Sequence, residues 1–471
     1  MVFSSLTFLC LFLPVVVGLH ALVKNVTARN AILLVASLLF YAWGEPVWIV
    51  AMLFATAVNY VCARIIVSTK TDRGRKLALI IGILISLAAL LYFKYAAFFV
   101  NNLCALLGLA YRMAQPELPI GISFYTFQII TYTVDVYRGK APLQKNPLWL
   151  LLYVSLFPQL IAGPIVRYVD VAEAIEDRSV TARGIGEGFF RFSLGLGKKV
   201  LLANLCGELL ESLPAGAELS FFSGWLGAIL FLLQLYFDFS GYSEMAIGLG
   251  QMLGFRFLEN FDAPFISQSI SEFWRRWHIS LGTFFREYVY IPLGGNRVSR
   301  GRWILNMAVV WGLTGIWHGA NWNFLLWGLY FGFFMVLERT VFQTALERTP
   351  SFLKHIVTIF LAVVGFVLFR NESFGEIALH LRAMFAPWRV PLSDPYAVYA
   401  VKNNPPLLLL AVICCLPLRK TAEAWFKKRR TAGKRNVLRP YLKALVAVGV
   451  MALSVMFLVG QSFNPFLYFR F

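Results

Sequence analysis

Apolar residues gather in long uninterrupted runs along this chain. Residues 1–23, 46–63, 77–93, 219–237, 303–337 and 444–469 contain no Lys, Arg, Asp or Glu. A helix needs about 20 residues to cross the hydrocarbon core of a bilayer, so these runs are long enough to span or nearly span one. With no water in that core, each segment must satisfy its backbone groups internally, which selects helix. Shorter or more interrupted runs occur at 30–44, 120–134, 147–166, 352–369 and 405–418. The pattern predicts an all-α polytopic membrane protein with about ten or eleven transmembrane helices, some of them re-entrant. Stretch 238–302 breaks the pattern by mixing aromatics, glycines, Arg and His. It is too polar for simple spans and predicts short helices dipping into a membrane cavity. Nothing resembles a linker between soluble domains. Residues 1–471 are therefore read as a single membrane domain, with N-terminal helices in 1–110, a core in 120–342 and C-terminal helices in 352–471.

Composition agrees. Hydrophobic residues make up 59% and charged residues 14%, against roughly 45–50% and about 25% in soluble chains. The net charge of +19 would suggest nucleic-acid binding in a soluble protein, but here the distribution of the cations points to topology and no nucleic-acid partner is expected. Segment 418–440 holds nine Lys and Arg against one acid, Glu423. The positive-inside rule places it, along with the basic stretches 64–76 and 275–302, in the cytoplasm. Both termini are then expected outside the cytoplasmic (inner) membrane of a bacterium. The first run has no basic residue before it and is not read as a cleavable signal. Six scattered cysteines form neither a disulfide framework nor a metal-ligand pattern, and no metal is expected.

Chemistry is sought where polar groups enter the apolar runs. Near the middle of run 303–337 sits Trp317-His318-Gly319-Ala320-Asn321. A histidine at membrane depth is costly unless partnered, so it reads as a functional site. The other reading is an interfacial histidine at a tight turn between two helices. His278, in Glu272-Phe273-Trp274-Arg275-Arg276-Trp277-His278-Ile279-Ser280, fits catalysis or an aromatic and Arg cluster beside lipid headgroups. Asp238, in Tyr236-Phe237-Asp238-Phe239-Ser240-Gly241-Tyr242-Ser243-Glu244, is suited to orienting an imidazole or an amide, and equally to capping a helix start. His20, His355 and His380 are given no role. Signatures of serine hydrolases, zinc proteases and nucleotide-binding loops are absent.

Ser271-Glu272-Phe273-Trp274-Arg275-Arg276-Trp277-His278-Ile279-Ser280-Leu281, then Leu293-Gly294-Gly295-Asn296-Arg297, then Trp317-His318-Gly319 resembles the membrane-bound O-acyltransferase family. The similar branch is that of bacterial alginate and peptidoglycan O-acetylation. Gly121-Ile122-Ser123-Phe124-Tyr125, Ala162-Gly163-Pro164 and Asp238-Phe239-Ser240-Gly241-Tyr242-Ser243 match as well. The one departure noted is Glu244, where alginate-type members carry Asp. The resemblance implies an acyltransferase fold around a membrane tunnel, through which acetyl passes from cytoplasmic acetyl-CoA towards an extracytoplasmic polysaccharide hydroxyl. It implies no permanently bound cofactor. His318 matches the family's membrane-embedded histidine and His278 its second catalytic position. Trp274, Arg275, Arg276, Asn296, Asp238, Tyr242 and Trp317 are the expected donor-binding residues.

The C-terminal Phe463-Asn464-Pro465-Phe466-Leu467-Tyr468-Phe469-Arg470-Phe471 is similar to the terminal motif of a small membrane protein of teichoic acid D-alanylation, in which a tyrosine carries the acyl group. The resemblance makes Tyr468 a candidate covalent relay, with His318 as base and an SGNH-like extracytoplasmic acetyltransferase as the partner that removes the acetyl. A phenol, with a reference pKa of about 10, is a better leaving group than a sugar hydroxyl. The plainer reading of this segment is an aromatic belt among membrane lipids. Two further readings stay open: a transporter with His and Asp proton relays, and a D-alanyltransferase for teichoic acid.

Overall fold

Every apolar run identified above carries helix in the computed structural model, which describes residues 1–161, 163–431 and 438–460. The described residues contain no strand, so the chain is an all-α multi-pass membrane protein. The helices that frame the site are α1 (Phe8–Leu22), α2 (Val26–Ala42), α3 (Ile49–Ser68), α4 (Asp72–Leu106), α5 (Ile122–Tyr137), α6 (Phe221–Met252), α7 (Ile270–Arg276), α8 (Ile279–Phe285), α9 (Arg300–His318), α10 (Trp322–Thr340), α11 (Ser351–Arg370), α12 (Leu418–Thr431) and α13 (Arg439–Gly460). Among the described residues, α3, α4, α6, α11 and α13 are long and apolar enough to cross a bilayer unbroken, and Pro395–Asn403 with Pro405–Cys414 forms a broken pair bent by 72°. The other runs are shorter or interrupted. Run 147–166, for example, breaks at Pro158, which supplies no backbone donor at the start of Phe157–Leu160.

The described residues group into two compact units, one of Met1–Ser193 and Tyr242–Leu258, the other of Leu194–Gly241 and Glu259–Phe471. Helix α6 contributes to both. In the first unit, α3, α4 and α5 are tied by buried polar groups. Asn59 donates to Ser86 Oγ at 2.8 Å and accepts from Thr133 Oγ1 at 2.8 Å. Gly82 makes this possible, because a Cβ there would lie 2.8 Å from Asn59 Oδ1. Such interhelical hydrogen bonds contribute roughly 0.6–2 kcal/mol each in a bilayer. The same unit buries Arg178, which donates to Leu253 O, Ala174 O and the Asn30 side chain and to Nε2 of His20. This gives His20 a structural partner.

In the second unit, α9 and α10 form an antiparallel hairpin from the uncharged run 303–337. Their backbones approach closely at Gly328, where a Cβ would run into the carbonyl oxygen of Trp311. The turn 319–321 ends α9 and starts α10. Asn321 caps α10 by accepting from Trp322 N at 2.6 Å, and its amide donates to Glu372 O at 3.0 Å. At the far end of α10, the Glu338 carboxylate accepts from the backbone N–H groups of Ile270 and Ser271 and from Ser271 Oγ, the last at 2.7 Å. A carboxylate at this position satisfies orphan donors of a helix N-terminus. It holds α7 in place.

Candidate active site

His318 is the last residue of α9 and is buried. Rings enclose its imidazole: Trp327 of α10 at 4.9 Å and 86°, Phe369 of α11 at 5.2 Å and 80°, and neighbouring Trp317 at 4.9 Å and 72° between centroids. The histidine therefore stands at a helix end beside a tight turn, and it is also walled in by aromatics. Both readings of the sequence motif describe part of this arrangement.

His278 lies outside the spanning helices, between α7 and α8. It has the left-handed backbone values φ 45° and ψ 53°, a costly conformation for a residue other than glycine and one that tends to mark functional positions. Its ring is fully packed, with Phe239 edge-on at 4.6 Å and Trp317 at 5.9 Å. Trp317 thus touches both histidines. Burial pushes the His278 imidazole down to about 3, so the ring is neutral at physiological pH.

The tautomer of His278 follows from its surroundings. Its Nδ1 lies 3.2 Å from Asn260 Oδ1, an atom that also accepts from Ser280 N at 3.1 Å and from Ser280 Oγ at 2.9 Å. The backbone N–H of Ser280 can only donate, so the atom facing it must be the amide oxygen. An amide oxygen facing Nδ1 favours the tautomer with its proton on Nδ1 and its lone pair on Nε2.

The remaining candidates separate. Trp274 lies among Trp311 at 5.0 Å, Trp327 at 5.3 Å and Phe331 at 4.9 Å, within one aromatic cluster that reaches His318 through Trp327. The buried indole N–H groups of Trp274 and Trp327, and Asn323 Oδ1, have no hydrogen-bond partner among the described residues. Arg276 is engaged by Glu272 at 2.8 Å and Asp262 at 3.5 Å. Arg275 and Asn296 are exposed. Asp238 is ion-paired with Lys199 at 2.8 Å, both side chains being 2% exposed. Lys199 also donates to Asn204 Oδ1 at 2.8 Å, from a π-helical stretch, Lys198–Asn204, a feature frequent at functional sites. Tyr242 belongs to the first unit, where its ring stacks on Phe3 at 4.5 Å. Tyr468 lies outside the described residues. His355 and His380 donate to the carbonyls of Ser267 and Gly224, which accounts for them structurally. Among the described residues no cluster of His, Cys, Asp or Glu is arranged to hold a metal ion.

The profile of the membrane-bound O-acyltransferase family matches residues 142–370, a span that includes both histidines. Over all of both chains, the sequence is 39% identical to a probable alginate O-acetylase, AlgI, of Azotobacter vinelandii. It is 44% identical to the AlgI of Pseudomonas aeruginosa over 82% of this chain and 75% of that one. A peptidoglycan O-acetyltransferase of Helicobacter pylori is 30% identical over 100% of this chain and 98% of its own. The chain belongs to the membrane-bound O-acyltransferase family. It is accordingly an O-acyltransferase.

For an O-acyltransferase, the arrangement supplies a neutral imidazole with a defined lone pair at His278, a second imidazole in an aromatic enclosure at His318, and indole donors beside it. The sequence motifs contain both histidines, Trp274 and Trp317. They do not contain Asn260, Lys199, Trp327, Phe369 or Glu338. For Lys199 there was a signal, a pair of lysines inside an otherwise apolar stretch. Asn260 carried none.

Proposed function

We propose that this chain is a membrane O-acetyltransferase that takes acetyl from cytoplasmic acetyl-CoA and delivers it for O-acetylation of an extracytoplasmic polysaccharide. The observation that carries the reading is that the Trp317 ring contacts the imidazoles of both His278 and His318. In this reading His318 is the general base. It takes the proton of the attacking hydroxyl as that oxygen bonds to the thioester carbonyl carbon. The carbon–sulfur bond breaks, and the coenzyme A thiolate leaves towards the cytoplasm. The unpartnered indole N–H groups of Trp274 and Trp327 are donors suited to the acyl oxygen as negative charge develops on it. His278, neutral and with its lone pair on Nε2, assists from its place against Trp317.

The attacking hydroxyl is assigned to Tyr468. Its acetyl ester would let acetyl cross while coenzyme A stays inside, and an extracytoplasmic acetyltransferase partner of the SGNH-like class would then move the acetyl to the polysaccharide. The acetylation activities carried in the names of the alginate and peptidoglycan relatives support this substrate class. The site fits a bacterial inner membrane with both termini outside, the orientation argued from the basic segments.

The test is incubation of purified protein with acetyl-labelled acetyl-CoA, followed by mass spectrometry of the C-terminal peptide. Label on Tyr468 is expected, abolished in Tyr468→Phe and in His318→Ala. Full labelling of His318→Ala would overturn the base assignment, and undiminished label on the C-terminal peptide of Tyr468→Phe would overturn the relay.

A further inference from the structure

Helix α12 has no place in the chemistry above, and its surface is unlike that of any other helix described. Leu418, Ala422, Trp425 and Phe426 fall at i, i+4, i+7 and i+8 and make one apolar stripe. Within that stripe Leu418 is 47% and Trp425 50% exposed, so the described protein leaves it largely uncovered. The opposite face carries Lys420 and Lys427, Arg419 borders the stripe, and the surrounding segment 418–440 holds nine cations against Glu423 alone. An apolar stripe backed by cations is the form of a helix lying in the plane of a membrane interface. Connectivity agrees, because α12 lies between the apolar helix Pro405–Cys414 and the span α13.

We propose that α12 is a docking surface for anionic phospholipid headgroups, and that it reports their presence to α7. Charge argues for anionic over zwitterionic lipid, since a basic segment beside a span is drawn to an anionic membrane surface by about 1 kcal/mol per Lys or Arg. The first turn of α12 shows how the signal is passed on. Arg419 pairs with Glu259 at 2.9 Å, and Lys420 Nζ with Asp262 Oδ1 at 2.6 Å. Asp262 is shared: its carboxylate also lies 3.5 Å from Arg276 at the end of α7, and its backbone N–H donates to Arg276 O at 2.9 Å. Glu259 and Asp262 flank Asn260, the residue that sets the tautomer of His278. Lipid that neutralises the outer cations of α12 leaves Arg419 and Lys420 on these two acids and steadies the loop between them.

The experiment uses the full chain in nanodiscs of phosphatidylcholine with a rising fraction of phosphatidylglycerol brominated in its acyl chains. The signal is the tryptophan quenching present in the protein and missing in Trp425→Phe. Quenching by phosphatidylglycerol at low mole fraction is expected. Each interfacial cation contributes roughly fivefold to binding on an anionic surface, so Lys427→Gln with Lys428→Gln should weaken the preference about 25-fold. High salt should weaken it in the parent protein, which keeps the test decisive even where the double variant does not fold. Equal quenching by brominated phosphatidylcholine in an equimolar disc would overturn the proposal. So would a site that ignores phosphatidylglycerol and is shielded by adenosine 3′,5′-bisphosphate, a result that makes α12 a surface for donor phosphates instead.

Discussion

Asn260→Ala separates the tautomer of His278 from its mere presence. Asn260 is fully buried, and its Oδ1 accepts three hydrogen bonds, from His278 Nδ1 at 3.2 Å, Ser280 N at 3.1 Å and Ser280 Oγ at 2.9 Å. A neutral hydrogen bond contributes about 1 kcal/mol net, and more is lost when the donor left behind stays buried. The substitution should therefore cost about 2–4 kcal/mol of stability. Its larger effect falls on turnover. Without an acceptor at Nδ1 the imidazole is no longer obliged to keep its lone pair on Nε2, and a misassigned proton removes acid–base assistance worth about 10²-fold or more. Asn260→Asp retains an acceptor at the same place and should recover much of the rate. Its carboxylate also favours the imidazolium, so the acid limb of the pH–rate profile should move upward. The assay is acetyl transfer from acetyl-CoA by detergent-purified protein, normalised to the folded fraction from a thermal melt. Turnover in Asn260→Ala within twofold of the parent, alongside an inactive His278→Ala, would refute the reasoning and leave Asn260 as a brace for the loop alone.

The Lys199–Asp238 pair should be far more sensitive to losing one partner than both. Asp238→Leu alone strands a buried lysine and should cost about 3–5 kcal/mol, whereas Lys199→Met with Asp238→Leu should be close to neutral in a thermal melt; equal losses in the single and double variants would count against the pairing. Stability should also depend on pH through His278. Its folded value of about 3 lies below the unfolded reference of about 6.5, so its contribution is present above that reference and is lost as pH falls towards 3. At pH 5 the deficit relative to pH 7 is about 2 kcal/mol, and His278→Gln should flatten that part of a melting-temperature profile. Gly328→Ala should destabilise the α9–α10 hairpin by about 1–3 kcal/mol, because the new methyl group meets the Trp311 carbonyl; an unchanged melt would show that the hairpin yields there.

Tyr242 and Asp238 show where the sequence stops being informative. They sit one helical turn apart in a single motif that the family resemblance links to the donor site. In the fold Tyr242 stacks on Phe3 in the first unit, while Asp238 pairs with Lys199 in the second. Adjacency along a helix does not determine which partners a side chain meets. Arg276 makes a similar case: a cation beside two tryptophans suits donor phosphates, yet Glu272 and Asp262 already occupy it. Arg275 and Asn296 are exposed.

By itself the sequence determined that this protein is helical and lies in a membrane, because long uncharged runs leave the backbone no other way to satisfy its hydrogen bonds in lipid. It also marked His318, since a titratable group inside such a run is costly unless partnered, while His278 stood out by the motif that carries the family resemblance. Tertiary structure decided what each histidine does with its neighbours. That Trp317 touches both imidazoles, that α10 and α11 close the enclosure of His318, and that Asn260 assigns the proton of His278 depend on contacts between residues distant in the chain. Periodicity and local spacing carry no trace of such contacts. They exist only once the helices have packed.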